Sequence, residues 1–225
     1  MAPIHDAARD ANVGELHRLL AEGVSLDARD HEPHGLLPIQ HCAARTTDVD
    51  DRVACFKLLR EAGADLEARS SPSANTALHF AASAGCIEIM SLLVEAGVNV
   101  NARNNQDSTP LRFAAYGDRR ALESVELLLE AGAAVNVRCE NGSTPFDIAL
   151  RRRDNRRMWP LFLRAGAEIP VPNTDPYIVR VRNAGGFKKY EQAHLARITA
   201  ILETPLLPPE LVRKILEFWL HAGYY

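Results

Sequence analysis

The apolar positions of Asn75–Asn104 fall into three successive patterns. Leu78, Ala81 and Ala82 recur at three- and four-residue steps, the spacing that gathers side chains on one helix face. Thr76, just ahead, is a fit N-cap, with its hydroxyl placed to accept the amide hydrogen of His79. Gly85 can take the left-handed conformation that ends such a helix. Ile87, Ile89, Met90, Leu92 and Leu93 then mark a wider apolar face of a second helix, stopped in the same way by Gly97. From Val98 to Asn104 apolar and polar residues alternate, as in a short extended hairpin arm. The spacing predicts helix, turn, helix and hairpin, a unit too small to bury its own faces and dependent on neighbours.

Neighbours of the same pattern are present. Ile4, Ile39, Leu111 and Phe146 stand where Leu78 stands, at separations of 33 to 39 residues. Gly23, Gly63, Gly132 and Gly166 match Gly97 at separations of 34 to 40. Two independent markers with one period define a repeat array. Its motifs are TALHFAA at Thr76, TPLRFAA at Thr109 and TPFDIAL at Thr144, degraded to PIHDAA at Pro3 and LPIQHCA at Leu37. The later segment reads LLREAGADLEA, LLVEAGVNVNA and LLLEAGAAVNV. These motifs resemble the ankyrin repeat family over the first three quarters of the chain. The resemblance implies an all-α solenoid of helix-turn-helix-hairpin units over residues 1–172, with repeats near 1–33, 34–72, 73–105, 106–140 and 141–172. Residues 173–225 form a C-terminal helical extension.

The repeats depart from one another in informative ways. The second helix of repeat one carries Glu15, His17 and Arg18 where inner repeats are more apolar, as a solvent-facing end requires. Repeat two runs 24 residues from Ile39 to Gly63, against 19 from Leu78 to Gly97. The extra residues are placed between its helices, around Thr46–Arg52. Pro160 falls inside the expected second helix of repeat five and predicts a shortened or late-starting helix. Beyond Asn173, Asp175-Pro176 reads as an N-cap and first helical residue. That helix runs to Asn183. Phe187, Tyr190, His194, Ile198 and Ile201 stripe a second helix, and Leu211, Val212, Ile215, Leu216 and Trp219 a third. These three helices are read as a cap closing the open end of repeat five. Leu207–Trp219, LPPELVRKILEFW, also resembles the opening of F-box-like modules, although the chain stops short of a full one.

Composition narrows the function classes. The chain is 47% hydrophobic and 24% charged, ordinary for a globular protein. No apolar run approaches membrane-spanning length, and MAPIHDAARD lacks an apolar signal core. The expectation is a cytoplasmic or nuclear protein, with Cys42, Cys55, Cys86 and Cys139 as reduced thiols. The net charge of -3 hides an asymmetry: residues 1–140 carry 13 basic and 21 acidic side chains, residues 141–225 carry 13 and 8. The basic excess is local, which argues against nucleic acid as a partner.

No nucleophile elbow, phosphate-cradling loop or H-E-x-x-H motif occurs, so no catalytic residue, cofactor or metal is expected. His31, His34, His41 and Cys42 are the nearest to a metal-ligand set, read as plain loop and helix residues. By resemblance, His5 and His79 hydrogen-bond neighbouring backbone, and Gln40, Arg112 and Asp147 weaken that network in their repeats. Also by resemblance, Asn101 and Asn136 match asparagines that an oxygen-dependent hydroxylase modifies. The cluster Arg151, Arg152, Arg153, Arg156 and Arg157 fits a solvated helix face or an import signal.

The binding candidates lie at the hairpins. Arg29, Arg69, Arg103 and Arg138 form one column, each preceding a variable tip. Guanidinium forks at a regular interval suit carboxylates and phosphates; the same column also serves simply to keep an edge soluble. With Asn105, Gln106 and Glu140 at the tips and Phe113 and Tyr116 on the first helices, they outline a concave face. The expected function is a non-catalytic, monomeric scaffold that holds another protein, with an acidic patch, on that face. The alternative is a substrate adaptor of a ubiquitin ligase acting through the C-terminal helix.

Overall fold

A computed structural model describes residues 3–30, 35–45, 48–117, 120–171 and 173–202, together with 208, 210, 211 and 214. It divides into two compact units, residues 1–155 and 156–225. Among the described residues there is no strand, and the helices follow the periods read above.

The first unit is a two-layer stack. One layer holds α1 (Pro3–Arg9), α3 (Pro38–Ala43), α5 (Ala77–Ala84), α7 (Pro110–Tyr116) and α9 (Pro145–Arg151); interleaved with these in sequence run α2 (Val13–Ala21), α4 (Val49–Glu61), α6 (Ile87–Glu95) and α8 (Ala121–Glu130). Helix α1 packs on α3, α3 on α5, α5 on α7 and α7 on α9, while α2, α4, α6 and α8 stack in a second row. The inner row packs closely because its contact positions are small: Ala8, Ala43, Ala81, Ala82, Ala114, Ala115 and Ala149 are all fully buried. Ile4, Ile39, Leu78, Leu111 and Phe146, the repeat markers, are buried at the centre of each turn of the stack. Proline opens α3, α7 and α9, where its missing N–H costs nothing and its fixed φ suits the first turn.

Two glycines act by different means. Gly97 sits at φ +77 with nothing within 4 Å of a would-be Cβ, so only its conformation demands glycine. Gly117 has ordinary backbone, but a Cβ would come within 3.3 Å of the carbonyl oxygens of Ser83 and Ala114; there α7 ends hard against the end of α5.

The hairpin arms are turns rather than paired strands. Each is pinched by one backbone bond across its base: Asp30 N to Leu36 O (3.0 Å), Ser70 N to Asn75 O (2.9 Å), Asn104 N to Ser108 O (3.1 Å) and Cys139 N to Ser143 O (3.1 Å). Repeat two corrects the sequence reading. Helix α4 begins at Val49 and runs 13 residues, so Asp50, Asp51 and Arg52 are helical rather than in a loop. Arg52 is only 2% exposed. It donates to the carbonyls of Arg9 (2.8 Å) and His41 (3.4 Å), at the C-terminal ends of α1 and α3, where a cation meets the negative ends of two helix dipoles.

In the second unit, Pro160 stands in the first turn of α10 (Trp159–Arg164), after a 3-10 segment at Arg153–Met158. The shortened helix follows from the proline as anticipated. Helix α11 (Pro176–Asn183) is capped by Asp175, whose carboxylate accepts the amide of Tyr177 at 2.9 Å. Helix α12 (Phe187–Leu202) packs on α10 and α11. The rings of Trp159 and Tyr177 lie 6.2 Å apart, and those of Tyr177 and Tyr190 meet at 90°. Arg164 pairs with Glu191 at 2.8 Å and Arg156 with Asp175. Residues 210, 211 and 214 are helical; Val212, Ile215, Leu216 and Trp219 lie outside the described residues. Among the described residues no helix is long and apolar enough to cross a membrane.

Candidate functional site

The residue after each column arginine builds the fingertip. Asp30, Ser70, Asn104 and Cys139 are 5%, 5%, 6% and 7% exposed, so they are struts and not tip residues. Asp30 accepts the amide of Leu36 (2.9 Å) and bonds the His41 ring (2.8 Å). Ser70 accepts the amide of Asn75 (3.1 Å). Asn104 accepts from both Gln106 N and Ser108 N at 2.9 Å and donates to the Asn75 side chain at 2.8 Å. Cys139 donates from Sγ to Ser143 O at 3.2 Å. Their shared character is small size with a hydrogen-bonding atom near the backbone, the chemistry of Asx-type turns. In the sequence these four different residue types read as the variable tips that follow the arginines; what they share is geometric.

With the struts buried, the arginines stand outside. Arg29, Arg69, Arg103 and Arg138 are all exposed. Arg29 donates to Gly35 O and Arg138 to Gly142 O, each at 3.1 Å within its own finger. Arg69 reaches Arg103 O on the next finger at 3.0 Å, and Arg103 faces Asp107 at 3.6 Å. Neighbouring fingers are joined by Asn105 N to Ser73 O and Glu140 N to Gln106 O, each 3.0 Å. The side chain of Asn105 also donates to Pro72 O. From Arg69 to Arg138 the column is thus mounted on a hydrogen-bonded edge. Lower down the third arm, Asn101 bridges to the following repeat, accepting from Ala134 N (2.7 Å) and donating to Gly132 O (3.3 Å).

The first helices supply the floor. Tyr116 is 66% exposed and lies under the Arg152 guanidinium, 5.7 Å from the ring centre, while Arg152 bonds its carbonyl at 2.7 Å. Phe113 is half-buried and meets His79 edge-on at 5.3 Å.

The histidine position explains how the fingers are fixed to the helices. His79 Nδ1 accepts from Thr76 N at 3.2 Å, and Nε2 donates to Ser108 O at 3.0 Å. That pattern needs a neutral ring, and burial pushes its pKa down to about 4. Burial also lowers His41, against the pull of Asp30. His5 reaches Ala28 O at 2.6 Å. Gln40 does not weaken the network as expected. Its Nε2 donates to Ala68 O (2.8 Å) and Asn75 O (3.2 Å), and its Oε1 accepts from Leu37 N (3.0 Å), because an amide carries the same donor and acceptor pair as the ring. Asp147 caps only locally, accepting from Thr144 N (2.7 Å) and its hydroxyl (2.9 Å).

Among the described residues, no group of three or more His, Cys, Asp or Glu side chains is placed to hold a metal ion; His31 and His34 lie outside them. The four cysteines are buried, and burial raises Cys42 strongly and Cys55 to about 11, which keeps both thiols protonated.

Residues 54–139 match the family profile described as ankyrin repeats, three copies. Inversin from Canis lupus familiaris is 32% identical over 111 residues, 49% of this chain and 10% of its own length. Ankyrin repeat and SOCS box protein 3 from Homo sapiens is 35% identical over 107 residues, 47% of this chain and 19% of its own. E3 ubiquitin-protein ligase KEG from Arabidopsis thaliana is 31% identical over 118 residues, 51% of this chain and 7% of its own. The chain therefore spans a fifth or less of the length of these relatives.

Proposed function

Because residues 54–139 are ankyrin repeats, we propose that the chain is a non-catalytic, monomeric scaffold that holds a partner protein on its concave face. The observation that carries this is the mounting of the exposed arginine column on a hydrogen-bonded edge. A preorganised row of guanidinium groups loses little freedom on binding. Beside it stands Tyr116, exposed yet fixed by Arg152, and aromatic and arginine side chains are the residues that dominate interface energetics. The partner carries a matching acidic patch, and the setting is cytoplasmic or nuclear. The test is affinity capture with the full chain from cell extract, identification by mass spectrometry, and titration of the recovered partner against salt. Affinity that falls as salt rises supports the reading; salt-independent binding contradicts the acidic patch.

A second reading, a substrate adaptor of a ubiquitin ligase, is favoured by one observation: Leu211, in the F-box-like segment, is 46% exposed. The relatives named for a SOCS box and as a ligase each match about half of this chain. In this reading, capture recovers ligase subunits, and Leu211→Asp abolishes their recovery.

A further inference from the structure

Repeat four breaks a pattern that its neighbours keep. In repeats three and five the third residue after the threonine folds back onto it: His79 to Thr76 and Asp147 to Thr144. Arg112 does not return to Thr109. Among the described residues, the Thr109 hydroxyl and the Arg112 Nε are both buried with no hydrogen-bond partner. Open buried polar groups are destabilising, and sites that break a local rule without internal compensation are where function is sought.

The Arg112 side chain lines a cleft of about 370 Å³ with Gln106, Ser108, Cys139, Glu140 and Asn141. That volume falls in the range of ligand sites, about 300–1,000 Å³. The cleft lies between the third and fourth fingers, whose backbones are tied by the bond from Glu140 N to Gln106 O. Its lining is mostly polar, and among the described residues its one cation is the Arg112 guanidinium, whose Nε is buried without a partner.

We propose that this cleft receives the carboxylate of an aspartate or glutamate side chain of the partner, gripped by Arg112; this rests on the concave-face reading and gives it a specificity pocket. A forked guanidinium matches a carboxylate with two parallel bonds. Glu140 on the wall selects against a doubly charged phosphate, which it repels more strongly than a singly charged carboxylate.

The test pans a random-peptide display library against the full chain and its variants. Wild type enriches peptides that share an Asp or Glu at one position. Arg112→Gln and Arg112→His lose that shared acid, with the affinity of a selected peptide falling about tenfold or more. Arg112→His also restores the bonds made by His79, so its melting temperature rises by about 2–4 °C, which separates loss of selection from loss of folding. Shared acids that survive in Arg112→Gln overturn the pocket, as does tighter binding when the acid is replaced by phosphoserine. Peptides that lack a shared acid but are lost in the Arg103→Ala, Tyr116→Ala pair overturn the pocket and leave the concave face standing. Peptides indifferent to all these substitutions, or no enrichment at all, overturn both.

Discussion

At the scale of the residue, the fingers hang on neutral buried rings. Folding lowers His79 from the usual 6.5 to about 4, so the unfolded chain takes up the proton first. Its stabilisation is complete above pH 6.5 and drains away as pH falls toward 4, about 3 kcal/mol in all. Gln40 shows that an amide can make the same bonds without titrating. His79→Gln is therefore expected to stay within about 1 kcal/mol of wild type at pH 7 and to lose this acid sensitivity, as read from urea unfolding at pH 7 and pH 5. An unchanged acid profile would show that His79 does not set it. The role of His79 was legible in the T-A-L-H motif. The struts Asp30, Ser70, Asn104 and Cys139 were not, because they are four different residue types whose common property is geometric. The open groups at Thr109 and Arg112 were only half legible: the sequence marked a weakened network, but not where the guanidinium went.

At the scale of the element, helix periods carried nearly all the information. The marker residues, the glycine stops, the Asp175-Pro176 start and the effect of Pro160 follow from local backbone rules, which operate within a turn or two of chain. Repeat two differs because the spacing from Ile39 to Gly63 showed that residues were added but not that most of them lengthen the second helix. Asp50 and Asp51 instead occupy the first turn of α4, where carboxylates favour a helix dipole, and Arg52 turns inward to carbonyls 11 and 43 residues away. Such long-range acceptors leave no trace in a local pattern. Arg52→Met keeps most of the packing but opens those carbonyls. The expected cost is about 2–3 kcal/mol, measured as a shift of the urea midpoint with an unchanged slope. A change under about 0.5 kcal/mol, the range of ordinary surface substitutions, would mean that the buried guanidinium is structurally idle.

At the scale of the whole molecule, the chain needs an end as well as a middle. We propose that residues 173–225 cap the array, and within the second unit α12 covers α10, where Trp159 and Phe162 are buried. Deleting residues 173–225 is expected to expose these rings, lower the melting temperature and promote aggregation; a truncated protein as soluble and as stable as the full chain would make the extension an independent module. The concave face makes the opposite demand, that its arginines and Tyr116 act on a partner rather than on stability. The most direct measurement is the affinity of the captured partner for the full chain and for the Arg103→Ala, Tyr116→Ala pair, with melting followed in parallel. The account predicts a loss of about 1–3 kcal/mol in binding with melting nearly unchanged. Binding that survives this pair but is lost on Leu211→Asp would contradict it and place the partner on the tail.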